Sequence, residues 1–482
     1  NEEIEEYYEE LYRLYIDENQ PLERRYRQLR ESLERVVREK IQGNSLQTTD
    51  LAARINYVAT QYGLDLKEQN QLHTFRLTSN DILNHRKSPV KEEFLRDLRA
   101  VAYAYRKMFA QDIPLKLFSV LPKQEIASSG KKEKMEYIRR IRVCFDYADD
   151  TYLYVHPVDV IADEPIRVVY NKPGINHEFE ETIKELWRYA QLNLLDVSVD
   201  RDGIYTPSFI VLEPDYLIDI SSLAECYKDY GSHPANYFLS RLVPIDNARP
   251  LLLGNIANLF LDEWIHAGEE EPDYIDCMKK AFRQYPIELA ACAELRDPSK
   301  EKEFAKDCRM HFEHIRDVVQ HTFLEPGYNL DKKEAVLEPS YICEALGIQG
   351  RLDYMQRDMS SFIEMKSGKA DEFSMQGKVE PKENNKVQIL LYMAVLEYSM
   401  GQDRRRMHPY LLYTRYPLLY PARASWAQVR RVINLRNRIV AAEYGVQFHN
   451  HPDFTRNLLA QINPEVVNER KLSGRFWEQY LK

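Results

Sequence analysis

The segment GRLDYMQRDMSSFIEMKSGK, residues 350–369, constrains the fold more than any other stretch of this chain. Two runs in which apolar and polar residues alternate stand on either side of a polar turn, a pattern typical of a β-hairpin. If the turn is centred on the Asp-Met dipeptide, the register places Asp353 opposite Glu364 and Arg351 opposite Lys366. We therefore expect these four side chains on one face of the hairpin. The core behind that face would contain Leu352, Ile363 and Met365.

Two carboxylates that face each other across a hairpin, roughly 4.5–5.5 Å apart at Cβ, repel unless a cation lies between them. A divalent ion that prefers oxygen ligands, Mg²⁺ or Mn²⁺, is one candidate for that cation. A surface salt-bridge cluster with Arg351 and Lys366 is the other interpretation, and the hairpin alone does not decide between them.

A helix predicted downstream of the hairpin carries a second polar pair. In NNKVQILLYMAVLEYSM, Leu391, Val395 and Tyr398 form an apolar stripe, whereas Gln388 and Tyr392 share another face at i, i+4. A glutamine and a tyrosine that project together from an otherwise apolar helix favour a functional polar contact. An ordinary structural pair is the alternative.

Three motifs therefore follow one another: GxxD at 350–353, ExK at 364–366 and QxxxY at 388–392. In this order and spacing they resemble the PD-(D/E)XK nuclease superfamily and, within it, the RecB-like branch. The resemblance implies an α+β or α/β fold whose core is similar to that of restriction endonucleases, a mixed sheet flanked by helices.

The resemblance extends upstream with one departure. The first motif of the RecB-like branch is a glycine followed four residues later by a histidine at the start of a helix. Here Gly254 is present, but Asn258 stands at the histidine position. An asparagine offers only a carbonyl oxygen or a hydrogen bond where an imidazole would bind metal, which puts the efficiency or metal preference of the site in doubt. His266, two turns later, is placed poorly to replace it.

Over residues 209–482 the chain is most similar to the nuclease domain of the replication helicase-nucleases that trim Okazaki-fragment flaps. In that family one upstream cysteine and three cysteines downstream of the QxxxY helix hold an iron–sulfur cluster. No cysteine follows Cys343, so we expect no iron–sulfur cluster, and the same absence argues against the CRISPR-adaptation nucleases of the branch. The chain has no GxxxxGK[ST] loop. A helicase motor is therefore expected in a part of the protein beyond this chain, or as a partner in trans.

The resemblance also implies roles for individual residues. Phosphodiester hydrolysis needs an activated water and a neutralised anionic transition state, which bound metal ions supply together. The expected catalytic residues are Asp353, Glu364, Lys366, Gln388 and Tyr392. Lys366 would orient or deprotonate the water or stabilise the phosphate. Gln388 and Tyr392, on the following helix, would hold the lysine or the phosphate. The expected ligands of Mg²⁺ or Mn²⁺ are Asp353, Glu364 and the Met365 backbone carbonyl, with Asn258 and Glu338 as further candidates.

A local reversal of charge predicts where DNA binds. Residues 404–438 contain nine arginines and no acidic residue, although the whole chain has a net charge of −10. Tyrosines and one tryptophan are interleaved with them, which suits a single strand whose bases stack at about 1–3 kcal/mol each. The named candidates are Arg404, Arg405, Arg406, Arg430, Arg431 and Trp426. The competing interpretation makes the tyrosines core residues and the arginines a solvated helix face.

The rest of the chain predicts three domains. Residues 1–115 show helical spacing, with Thr49 or Asp50 as the cap of one helix and Ser88 as the cap of another whose buried face carries Phe94, Leu98, Val101 and Tyr105. Residues 116–215 predict a small β-rich module, with a hairpin that turns at 148–150 and one helix at 178–195. The resemblance assigns residues 216–482 to the nuclease domain. Scattered cysteines without a CxxC pair predict reduced thiols in the cytoplasm. The acidic start, NEEIEEYYEE, does not resemble a signal peptide, and no apolar run is long enough to cross a bilayer.

The sequence thus predicts a metal-dependent nuclease for single-stranded or flap DNA, serving a helicase in replication or repair. Two alternatives stay open at this point. One is a DNA-binding module on a degenerate nuclease fold that does not cut. The other is a restriction-type endonuclease, in which the N-terminal helices would provide specificity for duplex DNA.

Overall fold

The computed structural model describes residues 2–42, 50–123, 137–159, 161–200, 202–227, 232–243, 248–373, 378–448, 452–463 and 470–480. The fold is mixed α and β with a helical N-terminus, as predicted. Contacts divide the chain into a first unit, residues 1–213 with 443–451, and a second unit, residues 214–442 with 452–482. Among the described residues, no helix combines the length and apolar character needed to span a membrane.

In its described residues the first unit opens with six α-helices, which are α1 (Glu2–Ile16), α2 (Leu22–Lys40), α3 (Leu51–Gln61), α4 (Leu66–Leu83), α5 (Lys91–Phe109) and α6 (Leu115–Phe118). The predicted cap of α3 is confirmed, because the Asp50 side chain accepts a hydrogen bond from the Ala53 N–H at 3.1 Å. The alternative cap, Thr49, lies outside the described residues. The predicted face of α5 is buried, but that helix begins after Val90 rather than at a Ser88 cap.

A six-stranded sheet follows in the same unit. Its strands are β1 (Tyr137–Ala148), β2 (Tyr152–Pro157), β3 (Ile166–Val169), β4 (Gln191–Val199), β5 (Tyr205–Thr206) and β6 (Phe209–Leu212), in the order β1-β2-β3-β5-β4-β6. The helix predicted at 178–195 is wrong, since only α7 (Glu180–Lys184) is helical and β4 starts at Gln191. β4 pairs with both β1 and β6, so long-range pairing on two sides prevails over the helical spacing of the segment.

The second unit contains three sheets. The strands are β7 (Ile218–Asp219), β8 (Ala335–Leu337), β9 (Ser340–Cys343), β10 (Ile348–Arg351), β11 (Tyr354–Gln356), β12 (Ser361–Lys366), β13 (Asp371–Phe373), β14 (Lys378–Glu380), β15 (His408–Tyr413) and β16 (Leu418–Pro421). The central sheet has the order β16-β15-β12-β11-β8, and a smaller one the order β7-β10-β9. β12 and β15 are parallel while the other pairs of the central sheet are antiparallel, so this sheet is mixed.

The described part of the second unit also contains ten α-helices. They are α8 (Ile220–Glu225), α9 (Ala235–Leu242), α10 (Arg249–His266), α11 (Tyr274–Gln284), α12 (Pro286–Ala291), α13 (Pro298–Gln320), α14 (Glu383–Met400), α15 (Trp426–Gln447), α16 (Pro452–Ala460) and α17 (Arg470–Tyr480). Ile363 and Met365 of β12 share a buried cluster with residues of α10 and α13. Because side chains alternate along a strand, Glu364 and Lys366 point to the opposite face, where α14 packs.

Candidate active site

The predicted hairpin forms with the predicted register. Tyr354 pairs with Ile363 and Met355 with Phe362, antiparallel, in β11 and β12. Asp353 immediately precedes the first paired residue, and its Oδ2 accepts a hydrogen bond from the Met365 N–H at 2.6 Å. This bond fixes the Asp353 carboxylate beside β12, where its charge acts on Glu364.

The predicted position of Arg351 opposite Lys366 is wrong. Arg351 ends β10 in the smaller sheet, where it pairs with Ser340, and its Nη2 lies 3.7 Å from Glu338 Oε1. The chain passes from one sheet to the other at Leu352, whose N–H donates to the Pro339 carbonyl. A strand that looks continuous in sequence is therefore two short strands in different sheets, and the predicted four-residue salt-bridge cluster does not form.

Glu364 is the most constrained carboxylate of the site. Its side chain is 8% exposed, and its Oε2 receives no hydrogen bond from a donor of the described residues, although its carboxyl group lies within hydrogen-bonding range of the Asp353 carboxyl. Burial, together with the neighbouring charge of Asp353, raises the pKa of Glu364 well above its usual range. Burial likewise raises the pKa of Asp353 to about 6, against the lowering effects of the Met365 N–H and Lys366. Ionisation of both Asp353 and Glu364 is therefore unfavourable, and a cation bound between the two carboxylates would make it favourable.

Gln388 of α14 connects the acid to the lysine. Its Oε1 accepts a hydrogen bond from Lys366 Nζ at 2.6 Å, and its Nε2 donates to Glu364 Oε1 at 2.8 Å. The same Nε2 lies 3.1 Å from the Ser221 hydroxyl of α8, a partner that the sequence motifs did not reveal. Lys366 Nζ is 3.6 Å from Glu364 Oε1, so the amide lies between the two charged groups and orients both.

Tyr392, one turn after Gln388, contacts the backbone of β10 and not the charged side chains of β12. Its ring is 1% exposed, and its hydroxyl donates to the Arg351 carbonyl at 2.7 Å. A Cβ added to Gly350 would come within 2.7 Å of that hydroxyl, so the glycine of GxxD leaves the space that Tyr392 occupies. The tyrosine thereby holds the end of β10 from which the chain turns into Asp353.

A second group of polar residues lines a cleft of about 400 Å³ along α10. Asn258, the residue at the expected histidine position, lines it together with Glu338, and the metal-binding role of these two residues stays a prediction. Asp262, which the sequence interpretation missed, lines the same cleft one turn after Asn258, and the i, i+4 spacing could have revealed it. Burial and the charge of Glu338 raise the pKa of Asp262 to about 6, and the charge of Asp353 adds to the effect.

The glycine of the upstream motif has a packing reason. A Cβ at Gly254 would approach the Ser367 hydroxyl oxygen to 3.3 Å, so α10 runs close to the end of β12. This contact places the Asn258 turn of the helix next to the strand that carries Glu364. The motif therefore positions the cleft even though its histidine is replaced.

Asp353 and Glu364 provide part of the ligand set that a divalent cation needs. Among the described residues, no group of three or more His, Cys, Asp or Glu side chains is arranged to hold a metal. The unpartnered oxygen of buried Glu364 beside Asp353 nevertheless fits one, because a cation would complete its coordination and offset the repulsion. Such an ion would take its other ligands from water or main-chain oxygens, as Mg²⁺ commonly does.

Three of the predicted DNA-binding arginines, Arg404, Arg405 and Arg406, are not brought to this site. Arg404, Arg405 and Arg406 precede β15, whose first residue pairs with Ser361, whereas Lys366 pairs with its last residue. Five residues of strand, roughly 16 Å, separate these two ends. Arg404 lies over the Trp426 ring at 4.5 Å, and Arg405 is paired with Asp403.

The structure divides the remaining aromatic and basic residues of 404–438 between core and surface. Tyr410 and Tyr413 are buried, so for these two the core interpretation is confirmed, whereas Arg436, which that interpretation placed on a solvated helix face, is also buried. Arg436 donates to the carbonyls of Gly347 and Tyr216. Arg430 is partly buried and Arg431 exposed on α15, and their role in binding DNA stays a prediction.

All six cysteines lie in the described residues, where they are buried and form no disulfide. No protein-family model matches this chain, and no curated protein matches its sequence.

Proposed function

We propose that the second unit has a PD-(D/E)XK core and is a metal-dependent nuclease that hydrolyses phosphodiester bonds in single-stranded or flap DNA. The observation that carries the proposal is the unpartnered, buried Oε2 of Glu364 beside Asp353, with Lys366 held next to it by Gln388. A bound cation would offset the cost of burying that oxygen beside a second acid.

Each side chain has a chemical role in this proposal. Mg²⁺ or Mn²⁺ bound by Asp353 and Glu364 would lower the pKa of a water and neutralise charge on the phosphate. Lys366, a quarter exposed, extends its ammonium toward the substrate side of the same carboxylate and orients the water or stabilises the phosphate oxygens. Gln388 keeps that ammonium in place, and Tyr392 fixes the strand end that presents Asp353.

The test is cleavage of end-labelled single-stranded, flap and duplex DNA with Mg²⁺ or Mn²⁺. We expect the unmodified chain to cut single-stranded or flap substrates and Glu364→Gln to reduce the rate on the order of 10²–10⁴-fold. Glu325→Gln, at an exposed glutamate of the same unit, is the matched control and should cut normally.

Three outcomes would overturn the proposal. Binding of single strands without cutting under either metal would identify a DNA-binding module on a nuclease-like fold. Cutting that persists in Glu364→Gln would place the activity elsewhere or in a contaminant. Cleavage of intact duplex at a defined sequence would identify a restriction-type endonuclease.

A further inference from the structure

A second cleft, of about 260 Å³, opens beside Lys366 and Gln388 on the α14 side of β12. Its wall contains three ammonium groups, one carboxylate and three carboxamides, contributed by Lys366, Lys369, Lys382, Glu225, Asn384, Asn385 and Gln388. We name it the lysine cleft. Its wall carries an excess of two positive charges in a chain whose net charge is −10, so the cleft suits an anion.

The two outer lysines are available to a ligand. Lys369 and Lys382 are both exposed, and neither forms an ion pair with another residue in the described part of the chain. Lys366 differs, because its ammonium already contacts Gln388 and Glu364. The cleft therefore joins the proposed metal site at Lys366 and continues away from it toward two ammonium groups that can neutralise further negative charge.

The start of α14 adds donors to the same wall. Lys382 is the N-cap of this helix and provides no side-chain cap, and the first-turn residues Asn384 and Asn385 line the cleft. Buried Tyr413 fixes this end of the helix, because its hydroxyl oxygen accepts hydrogen bonds from the Lys382 N–H at 3.1 Å and from Asn385 Nδ2 at 2.6 Å. A helix start carries partial positive charge, which reinforces the preference for an anion that the lysines establish.

We propose that the lysine cleft binds a backbone phosphate of the substrate strand, next to the phosphate that is cut at Glu364 and Lys366. The proposal rests on the proposed function for its scissile phosphate. The expected substrate is a polynucleotide strand that the protein contacts through its phosphates. A single nucleotide, which lacks the neighbouring phosphate, should be a poor substrate. Because the contacts are to phosphate and carry no base readout, the cleft itself does not select a sequence.

The experiment measures binding in a protein that is not expected to cut. Full-length Glu364→Gln is titrated with fluorescent single-stranded DNA at several salt concentrations, with and without Lys369→Gln and Lys382→Gln together. For single strands, log K falls with log salt by about 0.7 per phosphate contact. We therefore expect the double substitution to weaken binding at low salt and to reduce that slope by about 0.7–1.4.

The matched control is Lys300→Gln with Lys302→Gln, which removes the same charge at exposed positions of α13. We expect the control to change neither affinity nor slope, and single-stranded RNA to show the same loss as DNA. An unchanged slope in the Lys369/Lys382 variant, or an equal loss in the control, would overturn the proposal. Inorganic phosphate is added as a competitor. If it abolishes the difference in DNA affinity between the proteins with and without the two lysines at concentrations similar to that of the DNA, the cleft is a site for free phosphate instead.

Failure of this proposal is distinguishable from failure of the proposed function. Normal metal-dependent cutting with an unchanged salt slope would reject the lysine cleft and leave the nuclease. Loss of slope in the variant, with no cutting by the unmodified chain, would reject the nuclease and identify the cleft as part of a strand-binding surface.

Discussion

Gln388 accepts a hydrogen bond from Lys366 at 2.6 Å, so a neutral amide rather than a carboxylate makes the shortest contact of the candidate catalytic lysine. The same amide donates to Glu364, which makes one residue of α14 responsible for the orientation of two charged groups on β12. The relationship explains why a glutamine stands here. A carboxylate would repel Glu364, and an alanine would leave both groups without their shared partner.

The first prediction concerns this amide. Gln388→Ala should lower kcat about 10–100-fold, the range found when a residue that orients active-site groups is removed, with little change in the affinity for single-stranded DNA. Steady-state cleavage of a labelled flap separates kcat from KM. Gln402→Ala, just beyond the end of α14, is the control. A rise in KM at constant kcat would show that Gln388 contacts substrate instead.

The second prediction is that metal binding depends on pH. The pKa of Asp353 is about 6 and that of Glu364 is raised further above its usual range, so below neutral pH protons compete with a cation for both. Affinity for Mn²⁺ should rise about tenfold per pH unit for each proton released between pH 5 and 6, and level off as the carboxyls ionise. Calorimetric titration in buffers of different ionisation enthalpy measures both affinity and proton release. Affinity that does not vary with pH, or does not weaken in Asp353→Asn, would contradict this assignment.

The third prediction concerns Asp262. Its folded-state pKa of about 6 lies above the ordinary value of 3.8, so the folded protein binds the proton more tightly and loses stability as pH rises through that interval. Asp262→Asn removes this penalty and should stabilise the protein by roughly 1–2 kcal/mol at pH 7.5 relative to pH 4.5. Urea unfolding of both proteins at the two pH values measures the difference. An equal change in the free energy of unfolding at both pH values would mean that burial and neighbouring charges do not raise the pKa of Asp262.

The fourth prediction tests a buried contact behind the site. Gly347 has a φ of +64°, and a Cβ there would overlap the guanidinium of Arg436, which is fully buried. Gly347→Ala should therefore destabilise the protein by roughly 2–4 kcal/mol through backbone strain and displacement of the arginine. Gly268→Ala, with nothing within 4 Å of the new Cβ, is the control for thermal and chemical unfolding. Equal stability of the two variants would show that Arg436 can move without loss.

The fifth prediction concerns the first unit. His73 Nε2 lies 2.6 Å from Asn56 Oδ1, and its Nδ1 accepts a hydrogen bond from Arg76. Burial, with the charge of Arg76, lowers the pKa of His73 to about 3, so the unfolded chain binds the proton more tightly below pH 6.5.

Stability contributed by neutral His73 should fall by roughly 1.4 kcal/mol per pH unit as pH decreases from about 6.5 toward 3. His73→Gln should flatten this dependence in urea unfolding followed by circular dichroism. Substitution of exposed His85 in the same way is the control and should leave the slope unchanged. A slope that persists in His73→Gln would assign the effect to another group.

Local patterns predicted a large part of the fold. The cap and start of α3, the buried face of α5, the β1–β2 hairpin and the pairing of β11 with β12 all follow from residues within a few positions of one another. The same holds for Gln388 and Tyr392, which share a helix face because of their spacing. Local patterns failed where distant strands compete, as at residues 191–195, which the sequence assigned to the end of a helix and which belong to β4, paired on both sides.

The sequence by itself determined which side chains can meet on one strand or one helix turn, because the periods of 2 and 3.6 residues are properties of the local backbone. Only the tertiary structure decided that Arg351 leaves the hairpin for another sheet, that Arg436 is buried while Arg431 of the same helix is exposed, and that Asp262 joins the cleft. Each of these depends on which distant surface packs against the residue. Burial and the charges of neighbouring groups determine the pKa of Glu364, and burial leaves its Oε2 without a hydrogen-bond donor. Both effects arise only when distant parts of the chain pack together.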